Sequence, residues 1–275
     1  MSASEPASDG VRGRSPRGEV SETGTPGDAL GFRHPEIQRL RRLLGRRSAR
    51  VDEGAFVVEG PGLLAEAIAG GWDVETVYVD ERAEPALVPS GNDVRHLGRG
   101  VLERVATTEN PQPVLAVVRL RDDRRLPPDA ALVLVADGVN DPGNLGTMLR
   151  SAEAAGFDAV VTTPGTVDTY NPKVLRASAG AIFHVRVVVA TLDEVRASGL
   201  RLVGTSSHTG TDHTGFDWSP PVAIVVGSEA HGLADDAPVD DWVRITHSGR
   251  AESLNVAMAA TLLCFGAADP RRPPD

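Results

Sequence analysis

The sequence predicts an α/β protein in two parts, a parallel-sheet domain at the C-terminal end preceded by a smaller α/β domain. Three observations predict it. Apolar runs of strand length alternate with segments of helical period. The alternation breaks at a charged stretch with a proline pair, 121–130, and then restarts. In the second part, polar turns containing glycine follow the apolar runs, where an open α/β sheet offers its carboxyl edge to a ligand.

Each element follows from its residues. Segment 1–30 is rich in Ser, Pro, Gly, Glu and Thr with almost nothing apolar, so ordering it would cost backbone entropy without return and a disordered tail is expected. Ile37, Leu40, Leu43 and Leu44 then recur at helical spacing, with Gly45 as a stop, predicting an amphipathic helix followed by a basic loop. Runs at 55–59, 75–80 and 114–120 read as strands and 61–69 as a helix, which makes 31–120 a small domain. Segment 121–130 has the composition of a linker. From 131 to 270 the pattern restarts: 131–136 is a strand buried on both faces, 144–155 a helix, and 159–163, 185–189, 202–205, 222–227 and 243–245 are further strands. Segment 254–265 is a helix apolar on most faces, to be buried in the core or against another subunit.

Composition bounds the function. The 275 residues carry a net charge of −10, which argues against holding nucleic acid by bulk attraction and leaves recognition to local patches. Cys264 is the single cysteine, excluding an internal disulfide framework, and no clustered Cys/His spacing supports a metal site. No apolar run reaches the roughly 20 residues that span a bilayer, and the N-terminal segment lacks the apolar core of a signal peptide. A cytoplasmic protein with no membrane partner is expected.

Two kinds of glycine signal compete. Gly60, Pro61, Gly62 and Ala65, with Asp80 closing the next strand, fit a dinucleotide-binding turn and would suggest a nicotinamide-dependent oxidoreductase. Against this, Glu59 would set a carboxylate beside the pyrophosphate, and Pro61 removes a donor from a turn that must present donors. A tight strand-to-helix turn is the plainer reading. Against the dinucleotide signal stand three polar turns, two of them with glycine: Asn140 to Ser151 around Gly143, Asn144, Gly146 and Arg150; Gly227 to Gly232 around Glu229; and Ser253, Leu254, Asn255, Val256. Singly, each turn has an ordinary explanation, with Asn144 and Ser253 as helix N-caps and Glu229 as a solvated loop acid. Three such turns at strand ends of one sheet converge in space, and one shared site accounts for all of them.

In this order and spacing the three turns resemble the motifs of the SpoU (TrmH-like) branch of the SPOUT RNA methyltransferases. Gly54, Phe56, Glu59 and Gly60 likewise give the first part a similarity to the ribosomal-protein-like substrate-binding domain that often precedes it. The resemblance implies a knotted sheet, its C-terminal segment threaded into a trefoil. It implies transfer of a methyl group from S-adenosyl-L-methionine to a ribose 2′-hydroxyl of RNA, in a homodimer with the site at the subunit interface. It places Gly204, Thr205, Gly227, Ile245 and Leu254 against the cofactor. Arg150 falls at the reacting hydroxyl, with Asn144, Glu229, Ser253 and Asn255 completing the catalytic network. Ala230, Ala257 and Pro113 depart from the family pattern without removing a chemically active group.

RNA affinity is expected from arginines that neutralise phosphate. The densest group is Arg39, Arg41, Arg42, Arg46, Arg47 and Arg50, with Glu36 the only acid between Arg33 and Val51. Ribosomal RNA is the favoured substrate, transfer RNA an alternative, and a catalytically silent RNA-binding protein of the same fold a second one.

Overall fold

The computed structural model describes residues 29–87, 91–122, 125–250 and 253–268. The expected tail therefore lies outside the described residues up to position 28. Leu30, counted with the tail, is bridged to Leu97, and its backbone N–H donates to the His96 carbonyl at 2.8 Å.

The N-terminal part contains α1 (Pro35–Gly45), α2 (Arg47–Glu53), β1 (Ala55–Glu59), α3 (Pro61–Ala69), β2 (Val74–Val79), β3 (Val94–His96), α4 (Leu102–Val105) and β4 (Val114–Arg119). Where the sequence predicts a basic loop after α1, the chain forms α2 instead. Arg46 breaks the two helices apart with extended backbone, and Gly54, at a φ of 58°, closes α2 in the left-handed conformation that glycine adopts without strain. The strands order as β1-β4-β2-β3, with β4 antiparallel to both its neighbours and β3 parallel to β2.

Period-two alternation sends the side chains of this sheet into two different cores. Ala55, Val57, Leu115 and Val117 face Ile37, Leu40, Leu43 and Leu44 of α1. Phe56, Val58, Ala116 and Val118 face a core shared with the second part of the chain, where Leu145, Val174, Leu175 and Ile182 meet them. Phe56 packs against Tyr170 at 4.7 Å and Trp72 at 5.8 Å between ring centroids, and the Trp72 indole donates to the Phe183 carbonyl at 3.0 Å. Polar pairs frame this contact: the Arg176 guanidinium donates to Glu59 at 3.1 Å, and His184 meets Glu66 at 2.7 Å.

Segment 121–130 is less detached than its composition suggests. Arg121 stacks over Trp72 at 4.5 Å and donates to the Gly70 carbonyl at 2.6 Å, while Leu126 and Ala130 pack on the following sheet. The second part runs β5 (Leu132–Ala136), α5 (Pro142–Ala154), β6 (Ala159–Thr162), α6 (Pro172–Ser178), β7 (Arg186–Val189), α7 (Leu192–Ala197), β8 (Arg201–Ser206), β9 (Thr211–Asp212), β10 (Val222–Val226), β11 (Asp241–Arg244) and α8 (Val256–Ala268). All seven strands pair in parallel in the order β7-β6-β5-β10-β8-β11-β9. Leu132, Leu134 and Ala136 of β5 enter the shared core, and Val133 and Val135 enter a third cluster with Val195 of α7 and Leu233. This sheet is thus buried on both faces, and its carboxyl edge is where side chains with chemistry can gather.

Candidate active site

At that edge, a cavity of about 870 Å³ opens between the ends of β8, β10 and β11 and the start of α8. Thr205, Gly227, Glu229, Ile245, Ser253, Leu254 and Asn255, each singled out from sequence, line it. Gly204 does not. It lies inside β8 rather than on a loop, and a Cβ there would meet Val239 at 3.0 Å and the Trp242 ring at 3.1 Å, so its glycine serves packing behind the cavity wall. Gly227 is required by the turn itself. A side chain there would run into the Gly232 backbone at 2.1 Å, because Ser228 and Gly232 exchange backbone hydrogen bonds of 3.2 and 2.9 Å that fold the loop back on itself.

That closed loop delivers Glu229 to the turn before α5. Its carboxylate accepts from the backbone N–H groups of Asn140 at 3.1 Å and Asp141 at 3.0 Å, and from the Asn144 side-chain amide at 2.9 Å. The Asn144 carbonyl oxygen in turn accepts from the Asn255 amide at 3.0 Å. Asn255 then spends its own oxygen on the N–H groups of Ala257 and Met258, at 2.9 and 3.2 Å, which caps α8. One hydrogen-bonded line therefore joins all three turns. Partial burial works to raise the Glu229 carboxyl, but the Asn144 amide and the backbone N–H groups of Asn140, Glu229 and Asp141 outweigh it and hold the group below its ordinary value.

The caps are not the residues expected from sequence. Asp141, accepting from the Asn144 backbone at 2.9 Å, starts α5, and Asn255 rather than Ser253 starts α8. Asp141 followed by Pro142 is a helix-start signal that could have identified the first. Gly146 serves packing as well, since a Cβ there would meet Ala177 at 2.3 Å, and its absence lets α5 and α6 approach closely. Arg150 lies two turns further along α5, exposed and away from the cavity wall. Among the described residues no group of three or more His, Cys, Asp or Glu is placed to hold a metal ion.

The basic group of the N-terminal part divides. Arg41, Arg42, Arg46 and Arg47 are exposed, although Arg42 reaches Glu53 at 3.5 Å. Arg50 is corrected as an RNA ligand: it is 4% exposed, paired with Asp168 and donating to the carbonyls of Leu43 and Leu44, so it has no face to offer phosphate. Arg39 is likewise occupied, by Glu53 and Glu75. The turn at Gly60 ends β1 and leads into α3, with Gln112 against it, and Glu59 beside it is bound to Arg176 and Thr107.

Comparison with known proteins gives the same outline. Residues 131–265 match the SpoU rRNA Methylase family, and 34–116 match the MRM3-like substrate binding domain. A Bacillus subtilis protein named 23S rRNA (guanosine(2553)-2′-O)-methyltransferase RlmP is 36% identical over 233 residues, covering 82% of this chain and 92% of that one. A Streptomyces viridochromogenes 23S rRNA (uridine(2479)-2′-O)-methyltransferase is 32% identical, covering 86% and 90%. The crystal structure of the SpoU methyltransferase AviRb from Streptomyces viridochromogenes, in complex with the cofactor AdoMet, superposes with a TM-score of 0.76 at 30% identity, covering 87% of this chain and 98% of that one.

Proposed function

The chain belongs to the SpoU rRNA methylase family, and from that premise we propose how its own residues divide the work of the reaction. It is an S-adenosylmethionine-dependent RNA methyltransferase that modifies a ribose 2′-hydroxyl, with ribosomal RNA as the favoured substrate. The observation that carries the assignment of roles is the line from Glu229 through Asn144 to Asn255 at the mouth of the 870 Å³ cavity.

The cavity suits the cofactor in chemistry: Ile245 and Leu254 offer apolar surface and the 227–233 loop offers backbone groups, while Thr205 adds a hydroxyl. When bound, S-adenosylmethionine supplies an activated methyl group. The chain's part is to orient the ribose hydroxyl and to stabilise its oxygen as the proton leaves. We assign orientation to Asn144, fixed by Glu229 and Asn255, with Ser253 beside them. Holding reacting groups in near-attack geometry contributes up to roughly 7–11 kcal/mol in the best intramolecular cases. To Arg150 we assign stabilisation of the developing alkoxide, the role a fixed fork of N–H donors fills best; the proton passes to a phosphate or water.

The same reading includes a homodimer. Met258 and Leu262, four residues apart on α8, are exposed, by 63% and 47%, so α8 carries an apolar strip that a second copy would cover. Arg150, standing off its own cavity, supports a site completed across that boundary. We infer a trefoil knot as well, supported by the sheet order and by α8 packing between α5 and the 213–215 turn of the β8 to β10 connection. The proposed division is an RNA-binding domain over 31–120 carrying Arg41, Arg42, Arg46 and Arg47, a connection over 121–130 and a methyltransferase domain over 131–270. No helix among the described residues is long and apolar enough to cross a membrane, and we place the protein in the cytoplasm with its RNA.

The test is to incubate the protein with methyl-labelled S-adenosylmethionine and unmodified total bacterial RNA, then digest to nucleosides. Label on a 2′-O-methyl ribose is the expected result. Label on a base would overturn the roles built around Arg150, and no label would overturn the activity on these RNAs.

A further inference from the structure

Asp168 belongs to none of the sequence motifs, yet it stands at the point where the two parts of the chain meet. Its carboxylate accepts from Arg50 Nε at 2.8 Å and from a second nitrogen of the same guanidinium. The rest of that guanidinium is spent on the Leu43 and Leu44 carbonyls at the C-terminal end of α1, groups that the helix itself leaves without partners. A buried arginine thus ties the helix pair of the RNA-binding domain to one residue of the loop between β6 and α6.

That loop does more than receive Arg50. The Val167 N–H donates to the Val139 carbonyl at 2.9 Å. The buried hydroxyls of Thr163 and Thr166 accept from the Gly138 N–H at 3.2 and 3.1 Å. Thr166 also donates to the Ala136 carbonyl at 3.0 Å, and Thr163 to Asp137 at 2.6 Å. Segment 163–168 is therefore the floor on which the turn after β5 rests. Immediately beyond Val139, that turn presents the two backbone N–H groups, of Asn140 and Asp141, that hold Glu229. From Arg50 to Glu229 the path runs through consecutive short contacts, with Asp168 next in chain to the residue that grips Val139.

We propose that Asp168 is a positioning residue for methyl transfer: fixed by Arg50, it makes the seating of the RNA-binding domain felt at the turn that holds Glu229 and Asn144. The inference rests on the methyltransferase reading above. Its consequence is that correct docking of RNA on one domain is reported to the reacting groups on the other through a buried ion pair.

The test uses the full chain in single-turnover methylation of its RNA. Asp168→Asn keeps the size of the side chain and removes its charge. It is expected to slow transfer at saturating RNA by about ten- to a hundredfold, the scale of a small misplacement of reacting groups. Cofactor affinity by calorimetry and the RNA concentration for half-maximal rate should both stay within about twofold. Asp168→Glu should recover part of the rate. Arg50→Met should match Asp168→Asn, and the double variant should be no worse than either, because both break one connection. A saturated rate left unchanged with weaker RNA binding, or losses that multiply in the double variant, would overturn the proposal. Should Asp168→Asn fail to fold, Arg50→Lys keeps a cation but loses the two-nitrogen grip on Asp168, and hydrogen exchange at residues 138–141 gives the answer: a larger rise over the wild type there than in β5 is expected, and exchange unchanged from the wild type overturns it. If the wild type transfers no methyl group to RNA, the methyltransferase reading fails, while hydrogen exchange still decides the coupling.

Discussion

The basic helix pair of the N-terminal domain and the polar line at the edge of the parallel sheet hold their charges in opposite ways. In the helix pair, Arg39 and Arg50 are met by full counter-charges from Glu53, Glu75 and Asp168. At the sheet edge, Glu229 is met by neutral N–H donors from Asn140, Asp141 and Asn144. An arginine already paired has little left to give a phosphate. A carboxylate held by amides keeps its charge and its direction, so it can fix the amide of Asn144 while its field still reaches into the cavity. The difference separates residues that hold the protein together from residues kept ready for a ligand, even where both are arginines a few positions apart.

Substitutions can break that contrast or sharpen it, and the largest effect belongs at the sheet edge. Arg150→Ala should lower the transfer rate by about 10²–10³, as removal of one stabilising donor does elsewhere. Cofactor affinity measured by calorimetry should be nearly unchanged; equal loss of both would remove Arg150 from the reacting oxygen. Leu254→Asp should act the other way round, weakening cofactor binding by about tenfold or more before any effect on the bound rate, since a bound cofactor would cover a charge where the cavity wall is now apolar. In the helix pair, Arg46→Glu with Arg47→Glu should weaken RNA binding and lower the slope of log affinity against log salt by roughly 0.7–0.9 for each phosphate no longer neutralised. An unchanged slope would move the RNA surface off these helices. The smallest effect is in pH. Because Glu229 is held below its ordinary value, the stability its ionised form contributes is present above the ordinary carboxylate range and is lost as pH falls through the depressed value. Saturated transfer should therefore keep its Glu229-dependent part through the ordinary carboxylate range and below it. A fall centred above that range, and absent in Glu229→Gln, would show a carboxyl raised rather than lowered.

Much of the parallel sheet is legible in the sequence because strands buried on both faces are uninterrupted apolar runs, as in 132–136 and 222–226. Some unread elements have little to bury, whereas α6 is short and unread although it buries Val174 and Leu175. Helix α7 has only Val195 in a core, and β3 has no fully buried residue, although Thr191 and Glu194 form a capping box that marks the start of α7. The polar site is readable for a related reason: its turns sit at strand ends, and a parallel sheet brings strand ends together. The arginine cluster is not, because what decides the fate of each arginine is an acid far away in sequence. Nothing near Arg50 announces Asp168, 118 positions later. The apolar helix, read as buried in the core or against another subunit, meets its own chain on one side, through Ala257, Ala260, Leu263 and Cys264, and its composition alone does not tell which side stays exposed.

Asn144 is a connector with a fixed sense, nitrogen toward Glu229 and oxygen toward Asn255. Asparagines age by losing ammonia, and at this position that single exchange of nitrogen for oxygen would set one carboxylate against another where an amide donor now stands 2.9 Å away. One of the two would have to take up a proton, and Glu229 would lose the donor that helps keep it ionised. The backbone nitrogen that such a loss would have to recruit, that of Leu145, is held in the first turn of α5 by the Asp141 carbonyl at 3.1 Å, so the fold of the turn itself protects the amide.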